Sequence, residues 1–335
     1  MNEAQIRQLI TETGRQLLAD GLVARTWGNV SARLDAVHFL ITPSGLDYMQ
    51  TKEADLAKYN PQDKTWEGPH KPSSEKGIHA AAYDIFPEVT FVIHTHQTYA
   101  SAMGVWDFEH LKITDEERRT LGGVALASYG LPGTKRLKKA VANAFETGAH
   151  TVLMKHHGVV VAGSSKEEAY QRALLLEQIC KRQICGTDIT EQQLDEEQMR
   201  KKDAILLDIQ RNYPGARWVE TDAAIRWSQK GKALFAQLDD MAQMIGKAIH
   251  CVGTESLVVN NAFVTGANAV FVEGLGAVVL GRDSDDTAAL QILVDKAAVS
   301  ALHSYNATGK TRLSGFDCAL MHLVYQKKYS KQKNR

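Results

Sequence analysis

The chain has 335 residues, the length of two domains of roughly 150 residues each, and its 44% hydrophobic and 23% charged residues are typical of a globular protein. Its 39 basic and 39 acidic residues cancel, which argues against a nucleic-acid-binding protein, and no apolar run approaches the ~18 residues of a membrane span. The polar start is not typical of a signal peptide, and the four cysteines lack the spacing of a metal site and the density of a disulfide scaffold, so we expect a cytoplasmic protein.

Helices and short strands alternate in the first half of the chain, where the apolar pattern switches between helical and two-residue spacing. The predicted elements are a helix over residues 1–20, strands at 29–33 and 38–42, a loop at 60–72, a helix from Ser73 or Ser74 to Phe86, a strand at 89–98, a turn at 129–134, a helix at 135–147, a strand at 151–154, its continuation at 159–162, and a helix at 165–183. A serine is expected to be the N-cap of the helix that ends at Phe86.

Residues 187–203 are almost wholly polar, which favours a domain boundary near this segment; a solvated helix face is the alternative. We therefore expect one domain over residues 1–200 and a second over residues 201–335. The second domain ends in a basic tail, KKYSKQKNR.

The second half of the chain contains a segment similar to part of the first half. The residues from Ala267 match those from Ala149 at an offset of 118, with six identities in the first 15 positions. An ordinary strand-turn-strand-helix pattern is the alternative, but we favour a degenerate second copy. His157 of the first segment corresponds to Leu275 of the second, so the second copy is expected to keep the framework and to lack metal ligands.

Three histidines of the first half have a spacing that allows a metal site. His94 and His96 lie two residues apart in a predicted strand, so both imidazoles leave the same face. His157 lies directly before Gly158 at the end of another apolar strand, where it can point into a cleft; a buried, hydrogen-bonded core histidine is the alternative. Three histidines are the ligand set of a catalytic zinc site with one open position.

Three other segments contain residues that favour anion binding. Ser73 and Ser74 lie at a predicted helix start, where the helix dipole and free N–H groups attract anions. The turns that contain Gly28-Asn29 and Ser44-Gly45 let backbone amides approach a phosphate closely. Each segment alone is equally typical of an ordinary cap or turn.

Taken together, these motifs resemble those of the class II aldolase and adducin family, which includes fuculose-phosphate aldolases. GNVS at 28, TPSG at 42, SSE at 73, HTH at 94 and HHG at 156 occur in the order and approximate spacing of that family. The resemblance covers about residues 5–185. It implies a three-layer α/β/α domain around a mostly antiparallel sheet, with a smaller degenerate domain after it, in a homo-oligomer that is a tetramer in the family.

The resemblance also implies the roles of individual residues. His94, His96 and His157 are similar to the zinc ligands of the family, and Glu75 to its acid/base carboxylate, which also ligates zinc in the absence of substrate. The residues that match the phosphate-binding site are Gly28, Asn29, Ser44, Gly45, Ser73 and Ser74. One zinc ion per chain is expected, although imidazole ligands accept other divalent cations.

The activity that the resemblance implies is cleavage of a ketose 1-phosphate to dihydroxyacetone phosphate and a small aldehyde, through an enediolate that the metal stabilises. The expected partners are a phosphorylated sugar or dihydroxyacetone phosphate, with no nucleic acid and no membrane. This chemistry needs no Schiff-base lysine.

The sequence departs from fuculose-phosphate aldolases where those enzymes place a tyrosine on the aldehyde side, since residues 109–119 contain none. A sugar-phosphate dehydratase, a decarboxylase, a 4-epimerase or a non-catalytic adducin-like scaffold of the same family are therefore alternatives. Epimerases usually have Asp where this chain has Glu75, which argues against epimerisation. The retained histidines argue against a scaffold.

Overall fold

The computed structural model of the protein describes residues 1–105, 111–186, 192–305 and 311–328. The chain forms two compact units, Met1–Ile184 and Cys185–Arg335. The start of the polar segment, residues 187–191, and most of the basic tail, from residue 329 onward, lie outside the described residues. None of the described helices is both long and apolar enough to cross a membrane.

The N-terminal unit is built on an eight-stranded sheet. Its strands are β1 (Asn29–Arg33), β2 (Phe39–Ile41), β3 (Ala57–Tyr59), β4 (Trp66–Glu67), β5 (Phe91–Thr95), β6 (Val124–Ala127), β7 (Thr151–Met154) and β8 (Val159–Gly163). Their order across the sheet is β4-β3-β2-β1-β5-β8-β7-β6. Of these neighbouring pairs, β6 and β7 are parallel and the others antiparallel, which confirms the mostly antiparallel sheet.

Helices cover both faces of this sheet. They are α1 (Glu3–Ala19), α2 (Lys76–Ile85), α3 (Thr98–Val105), α4 (Asp115–Thr120), α5 (Lys135–Phe145) and α6 (Lys166–Cys185). Because side chains alternate along a strand, Phe91 and Ile93 of β5 face a core shared with α1, α3 and α6, whereas Val92 faces a second core shared with α2 and α5. The unit is therefore the expected three-layer α/β/α domain.

Three local predictions were wrong. Residues 60–72 contain β4, which forms a hairpin with β3. β8 does not continue β7, because the chain reverses at residues 155–158 and the two strands pair antiparallel. α2 begins at Lys76 with Glu75 at the N-cap position, since the Ser73 hydroxyl accepts a hydrogen bond from the Glu75 backbone N–H, at 3.2 Å, before the helix starts.

The C-terminal unit contains a second sheet and a second set of helices. Its strands are β9 (Arg217–Val219), β10 (Leu234–Phe235), β11 (Ala248–Val252), β12 (Ala269–Val272) and β13 (Gly276–Val279). Its helices are α7 (Glu196–Gln210), α8 (Asp222–Ser228), α9 (Asp239–Met244), α10 (Ser256–Val264), α11 (Ser284–Tyr305) and α12 (Gly315–Lys328). The boundary expected at residue 200 lies inside α7, because the Asp195 side chain caps that helix and Ile205 and Ile209 are buried.

Four strands of each sheet have the same arrangement. The order β9-β13-β12-β11 repeats the order β5-β8-β7-β6, with the last pair parallel and the others antiparallel in both sheets. β12 begins at Ala269, which lies 269 − 151 = 118 residues after Thr151 at the start of β7, and this is the offset at which the sequences match. The degenerate second copy stays a prediction, which this topology favours.

Candidate metal centre

β5 carries the first two candidate ligands toward the α2 side of the sheet. His94 follows the buried Val92 at two-residue spacing, and His96 follows His94 directly after the strand ends at Thr95. The His94 Nδ1 atom donates a hydrogen bond to the backbone carbonyl of Val159 on β8, at 2.8 Å. With Nδ1 engaged in this bond, Nε2 is the ring nitrogen that faces the other histidines and can ligate a metal ion.

The turn between β7 and β8 carries the third histidine to the same place. His156 has a left-handed backbone (φ 65°), which reverses the chain before His157. Gly158 follows, and a Cβ atom there would lie 2.3 Å from the carbonyl oxygen of Thr95. Only glycine therefore lets this turn approach β5 so closely.

Glu75 and the three histidines form one buried cluster. The Nε2 atom of His94 lies 3.1 Å from Glu75 Oε2, and the Nε2 atom of His157 lies 3.0 Å from Glu75 Oε1. The Nε2 atom of His94 also lies 3.1 Å from that of His96 and 3.3 Å from that of His157. One ligand atom from each residue lies within 4.8 Å of the others, and all four side chains are buried.

These distances fit a divalent cation. Ligand atoms about 2.0–2.1 Å from a tetrahedral zinc ion lie about 3.3–3.4 Å from one another, which is close to the spacing of these imidazole nitrogens. Glu75 Oε1 is buried and faces the His157 Nε2 atom, so this oxygen points to the same place as the imidazole nitrogens and can serve as a ligand. Three imidazoles and a carboxylate are a donor set that zinc accepts, as do other divalent transition metals.

The charge of Glu75 is set by its neighbours. Burial alone raises the pKa of this carboxyl, but the adjacent His94 and His157 lower it, and the resulting pKa lies well below the usual range. Glu75 is therefore ionised at neutral pH, as a metal ligand or a general base must be.

Asn29, expected at the phosphate, has its side chain beside Glu75. Its Nδ2 atom donates to Glu75 Oε2 at 3.2 Å, and its Oδ1 atom makes a hydrogen bond with His79 Nε2. His79 lies four residues after Glu75, at the spacing of one helix face, and burial together with the nearby His94 lowers its pKa to about 3. His79 was not among the predicted site residues; its spacing of four from Glu75 was the signal that could have revealed it.

The loops expected to bind phosphate lie against one another. The Ser44 backbone N–H donates to the Lys71 carbonyl at 2.9 Å, and the Ser73 backbone N–H donates to the Thr42 carbonyl at 3.1 Å. The Ser73 N–H group was expected to be free and the Ser44 N–H group to approach a phosphate, but both are engaged between the loops. Ser74 is half-buried and lies beside Gly133, where a Cβ atom would be 3.4 Å from Ser74 Cβ.

Two of the expected glycines have left-handed backbones. Gly28 has φ 82°, and a Cβ atom there would lie 2.5 Å from the His94 carbonyl oxygen, so this glycine allows the start of β1 to reach β5. Gly45 has φ 76° in the turn after Ser44. The structure thus brings Glu75, Asn29 and the three histidines together, and it joins the loops of Ser44 and Ser73 next to them.

One aromatic residue near this turn lies outside every motif. The ring of Tyr129 packs edge-on against that of His156, with 5.4 Å between the ring centroids and an interplanar angle of 89°. His156 is the direct neighbour of His157, so a tyrosine lies beside the turn that carries the third histidine, although the expected tyrosine segment at 109–119 has none.

Comparison with known proteins agrees with this geometry. The family model of the class II aldolase and adducin N-terminal domain matches residues 8–184. The chain is 30% identical over 167 residues to the 5-deoxy-D-ribulose 1-phosphate aldolase of Bacillus thuringiensis serovar kurstaki, a match that spans 49% of this chain and 77% of that protein. It is 33% identical over 159 residues to the L-fuculose phosphate aldolase of Methanococcus vannielii, spanning 48% of this chain and 84% of that protein.

Solved structures show the same likeness. The structure of an L-fuculose 1-phosphate aldolase superposes with a TM-score of 0.51 at 27% identity, covering 58% of this chain and 93% of that one. The family match spans more than half of the present chain, and the curated relatives are covered over most of their own length. The chain therefore belongs to the class II aldolase and adducin family.

Proposed function

We propose that the protein is a zinc-dependent aldolase that cleaves a ketose 1-phosphate into dihydroxyacetone phosphate and a small aldehyde. The observation that carries this proposal is the buried convergence of Glu75 with the Nε2 atoms of His94, His96 and His157. Family membership supports it, because the relatives described above are aldolases of phosphorylated sugars.

The proposed ligands are the three imidazoles, joined by Glu75 when substrate is absent. A divalent cation at this site supplies Lewis-acid stabilisation of the negative charge that develops on the substrate oxygens as the carbon–carbon bond breaks. His94 is held for this purpose by the Val159 carbonyl, which fixes the tautomer and the direction of its Nε2 lone pair.

Glu75 is the proposed proton-transfer group. When the C3–C4 bond breaks, its electron pair stays on C3, the C4 hydroxyl loses its proton as the aldehyde forms, and C3 gains a proton to complete dihydroxyacetone phosphate. In the reverse direction, the ionised Glu75 carboxylate takes that proton from the hydroxymethyl carbon. Asn29 donates to Oε2 and thereby leaves Oε1 as the oxygen for this task.

The phosphate is proposed to bind at the joined loops next to Glu75. Gly28, Ser44, Gly45, Ser73 and Ser74 are the proposed contacts, with Asn29 at the border between this site and the carboxylate. Binding energy from the phosphate, which does not react, then holds the reacting carbon beside Glu75. We extend the proposal to a homo-oligomer, a tetramer by family resemblance, which light scattering of the purified protein measures directly.

Hydrogen exchange on dihydroxyacetone phosphate tests the proposed function. Incubated with this compound in deuterated water, the zinc-loaded protein should place deuterium at the hydroxymethyl carbon, which proton NMR detects. Glu75→Gln should still bind zinc through the three imidazoles, more weakly, and should stop the exchange. Glu88→Gln, which changes an exposed glutamate bonded to His150, is the matched control and should exchange normally.

Persistent exchange in Glu75→Gln would remove Glu75 from the mechanism. Zinc binding without any exchange in the wild-type protein would favour a dehydratase, a decarboxylase or a non-catalytic member of the family. Release of dihydroxyacetone phosphate from L-fuculose 1-phosphate and from 5-deoxy-D-ribulose 1-phosphate then compares the two sugar phosphates that the relatives suggest.

A further inference from the structure

A row of buried hydrogen bonds leads from the cluster of Glu75 and the three histidines into the space between α2 and the sheet. Asn29 Nδ2 bonds to Glu75 Oε2 at 3.2 Å, and Asn29 Oδ1 bonds to His79 Nε2. His79 Nδ1 lies 2.6 Å from Ser31 Oγ, which lies 2.7 Å from the hydroxyl oxygen of Tyr83. His79 and Ser31 are fully buried, and Asn29 is 3% exposed.

The carboxylate at one end fixes the direction of every bond in this row. An ionised carboxylate only accepts, so Asn29 must turn its NH₂ group toward Glu75 and its carbonyl oxygen toward His79. That oxygen needs a donor, so the proton of neutral His79 is on Nε2.

The bonds from His79 to Ser31 and from Ser31 to Tyr83 also have a fixed direction. With its proton on Nε2, His79 offers a lone pair at Nδ1 and accepts from the Ser31 hydroxyl. Ser31 has then used its proton and accepts from the Tyr83 hydroxyl, which is the last donor. Every bond in the row therefore donates toward Glu75.

We propose that His79 is a positioning residue: it locks the side-chain amide of Asn29 in the orientation that donates to Glu75, and so holds the carboxylate against His94 and His157. This inference rests on the proposed function, in which Glu75 is a metal ligand and the proton-transfer group. Without the imidazole donor, the Asn29 carbonyl oxygen loses its buried partner, and the side chain is no longer anchored at that end. The amide can then shift away from Glu75, which weakens its hydrogen bond to Oε2.

Substitution of His79 by Phe or by Gln distinguishes a positioning role from a purely structural one. His79→Phe keeps an aromatic ring of similar size in the buried site and removes both ring nitrogens. His79→Gln places an amide NH₂ near the position of Nε2 and a carbonyl oxygen that can accept from Ser31. If the role of His79 is purely structural, the volume of the ring matters, and Phe should preserve zinc affinity better than Gln. If His79 positions Asn29, the hydrogen-bond donor matters, and Gln should preserve zinc affinity better than Phe.

Zinc affinity, measured by competition with a chromophoric chelator, is the readout. His79→Phe should weaken zinc binding by up to roughly 10-fold, the lower end of the loss for a direct partner of a metal ligand, because His79 acts through Asn29. His79→Gln should restore affinity to within a few-fold of wild type. Leu17→Ala, in a core on the other face of the sheet, is the control that lowers Tm and leaves zinc affinity unchanged. Equal affinity of His79→Phe and wild type, or equal weakening by Phe and Gln, would overturn the inference.

Two further measurements keep the test decisive. Ser31→Ala removes a single oxygen, so it can replace His79→Phe in the test if that variant does not fold. It should weaken zinc binding by less than His79→Phe, and unchanged affinity in Ser31→Ala would contradict the inference.

The second measurement combines two substitutions. In a Glu75→Gln background, His79→Phe should cause no further loss of zinc affinity, because the ligand that His79 positions is already gone. An additive loss would contradict the inference. Absence of zinc binding by the wild-type protein overturns the proposed function, whereas normal wild-type binding with unaffected variants overturns the role of His79 alone.

Discussion

The rings of His94 and His157 are stacked, with 5.1 Å between their centroids and an interplanar angle of 15°, and their Nε2 atoms lie 3.3 Å apart. The pairing of β5 with β8 creates this contact between residues 63 positions apart, since Thr95 lies opposite Val159 and His94 opposite Val160. Two neighbouring strands thus supply the histidines, and the N-terminal end of α2 supplies the carboxylate.

Metal analysis tests the ligand set directly. Purified protein should hold about one zinc ion per chain, the stoichiometry of a single three-histidine site. His94→Ala and His157→Ala should lose it. His150→Ala removes a histidine that is bonded to exposed Glu88 instead and should keep it. Two ions per chain in the elemental analysis, or retention of zinc in the His94 and His157 variants, would contradict the assignment.

The buried His79 predicts a pH dependence of stability in the metal-free protein. Its pKa falls from 6.5 to about 3 on folding, so between these values the unfolded chain binds a proton that the folded chain does not. Stability from this residue is complete above pH 6.5 and is lost as the pH falls toward 3. The loss at pH 5 is about 2 kcal/mol relative to pH 7.

Urea unfolding at pH 7 and pH 5 measures this effect as a difference between wild type and His79→Gln. Glutamine does not titrate, so the variant should lose less stability on acidification, and contributions from groups distant from this site cancel. The same pH dependence in both proteins would show that His79 is not held neutral by the fold.

Substitutions at two glycines with left-handed backbones distinguish the cost of backbone strain from the cost of a steric clash. Gly21 has φ 68° and open space where a Cβ atom would be, whereas a Cβ atom at Gly28 meets the His94 carbonyl oxygen. Gly21→Ala should therefore lower the free energy of unfolding by about 1 kcal/mol, and Gly28→Ala by clearly more. Gly28→Ala should also weaken zinc binding, because relief of the clash displaces the strand that carries His94. Equal effects of both substitutions in thermal unfolding would refute the close approach.

A buried ion pair in the C-terminal unit gives a prediction that is independent of the metal. Lys296 Nζ lies 2.6 Å from Asp240 Oδ2, and both side chains are 2% exposed. Lys296→Met should destabilise the protein by about 3–5 kcal/mol because it removes the cation that lies 2.6 Å from a buried carboxylate. The double variant with Asp240→Leu should regain part of this loss in urea unfolding. A double variant less stable than the single one would argue against a charge effect.

Local sequence signals predicted much of the fold. β1 and β7 lie at the predicted residues. β7 (TVLM) is a run of apolar and β-branched residues, whereas β1 (NVSAR) is marked mainly by the turn former Gly28 directly before it. The spacing of the three histidines suggested a metal site, and the family resemblance added Glu75; the structure brings these four residues into one cluster. The short strand β4 was missed because its two residues become a strand only by pairing with β3.

The remaining features depend on packing between distant segments. His79 acquires its partners only when α2 lies across β1, which places it between Asn29 and Ser31. The backbone N–H groups of Ser44 and Ser73 are engaged because Pro43 and Pro72 bring their loops together as an isolated bridge. Contacts between such distant segments cannot be predicted from the periodicity of residues along the chain.

The pairing of β5 with β8 also determines when, during synthesis, the protein can first acquire its metal. A nascent chain that ends before the turn into β8 has Glu75, His94 and His96, and the third imidazole is still to be made. Closing the long loop up to His157 is a slow, non-local step. At the proposed zinc site, the full set of ligands therefore forms only when the N-terminal unit folds, so metal binding with all four ligands is expected to follow that folding.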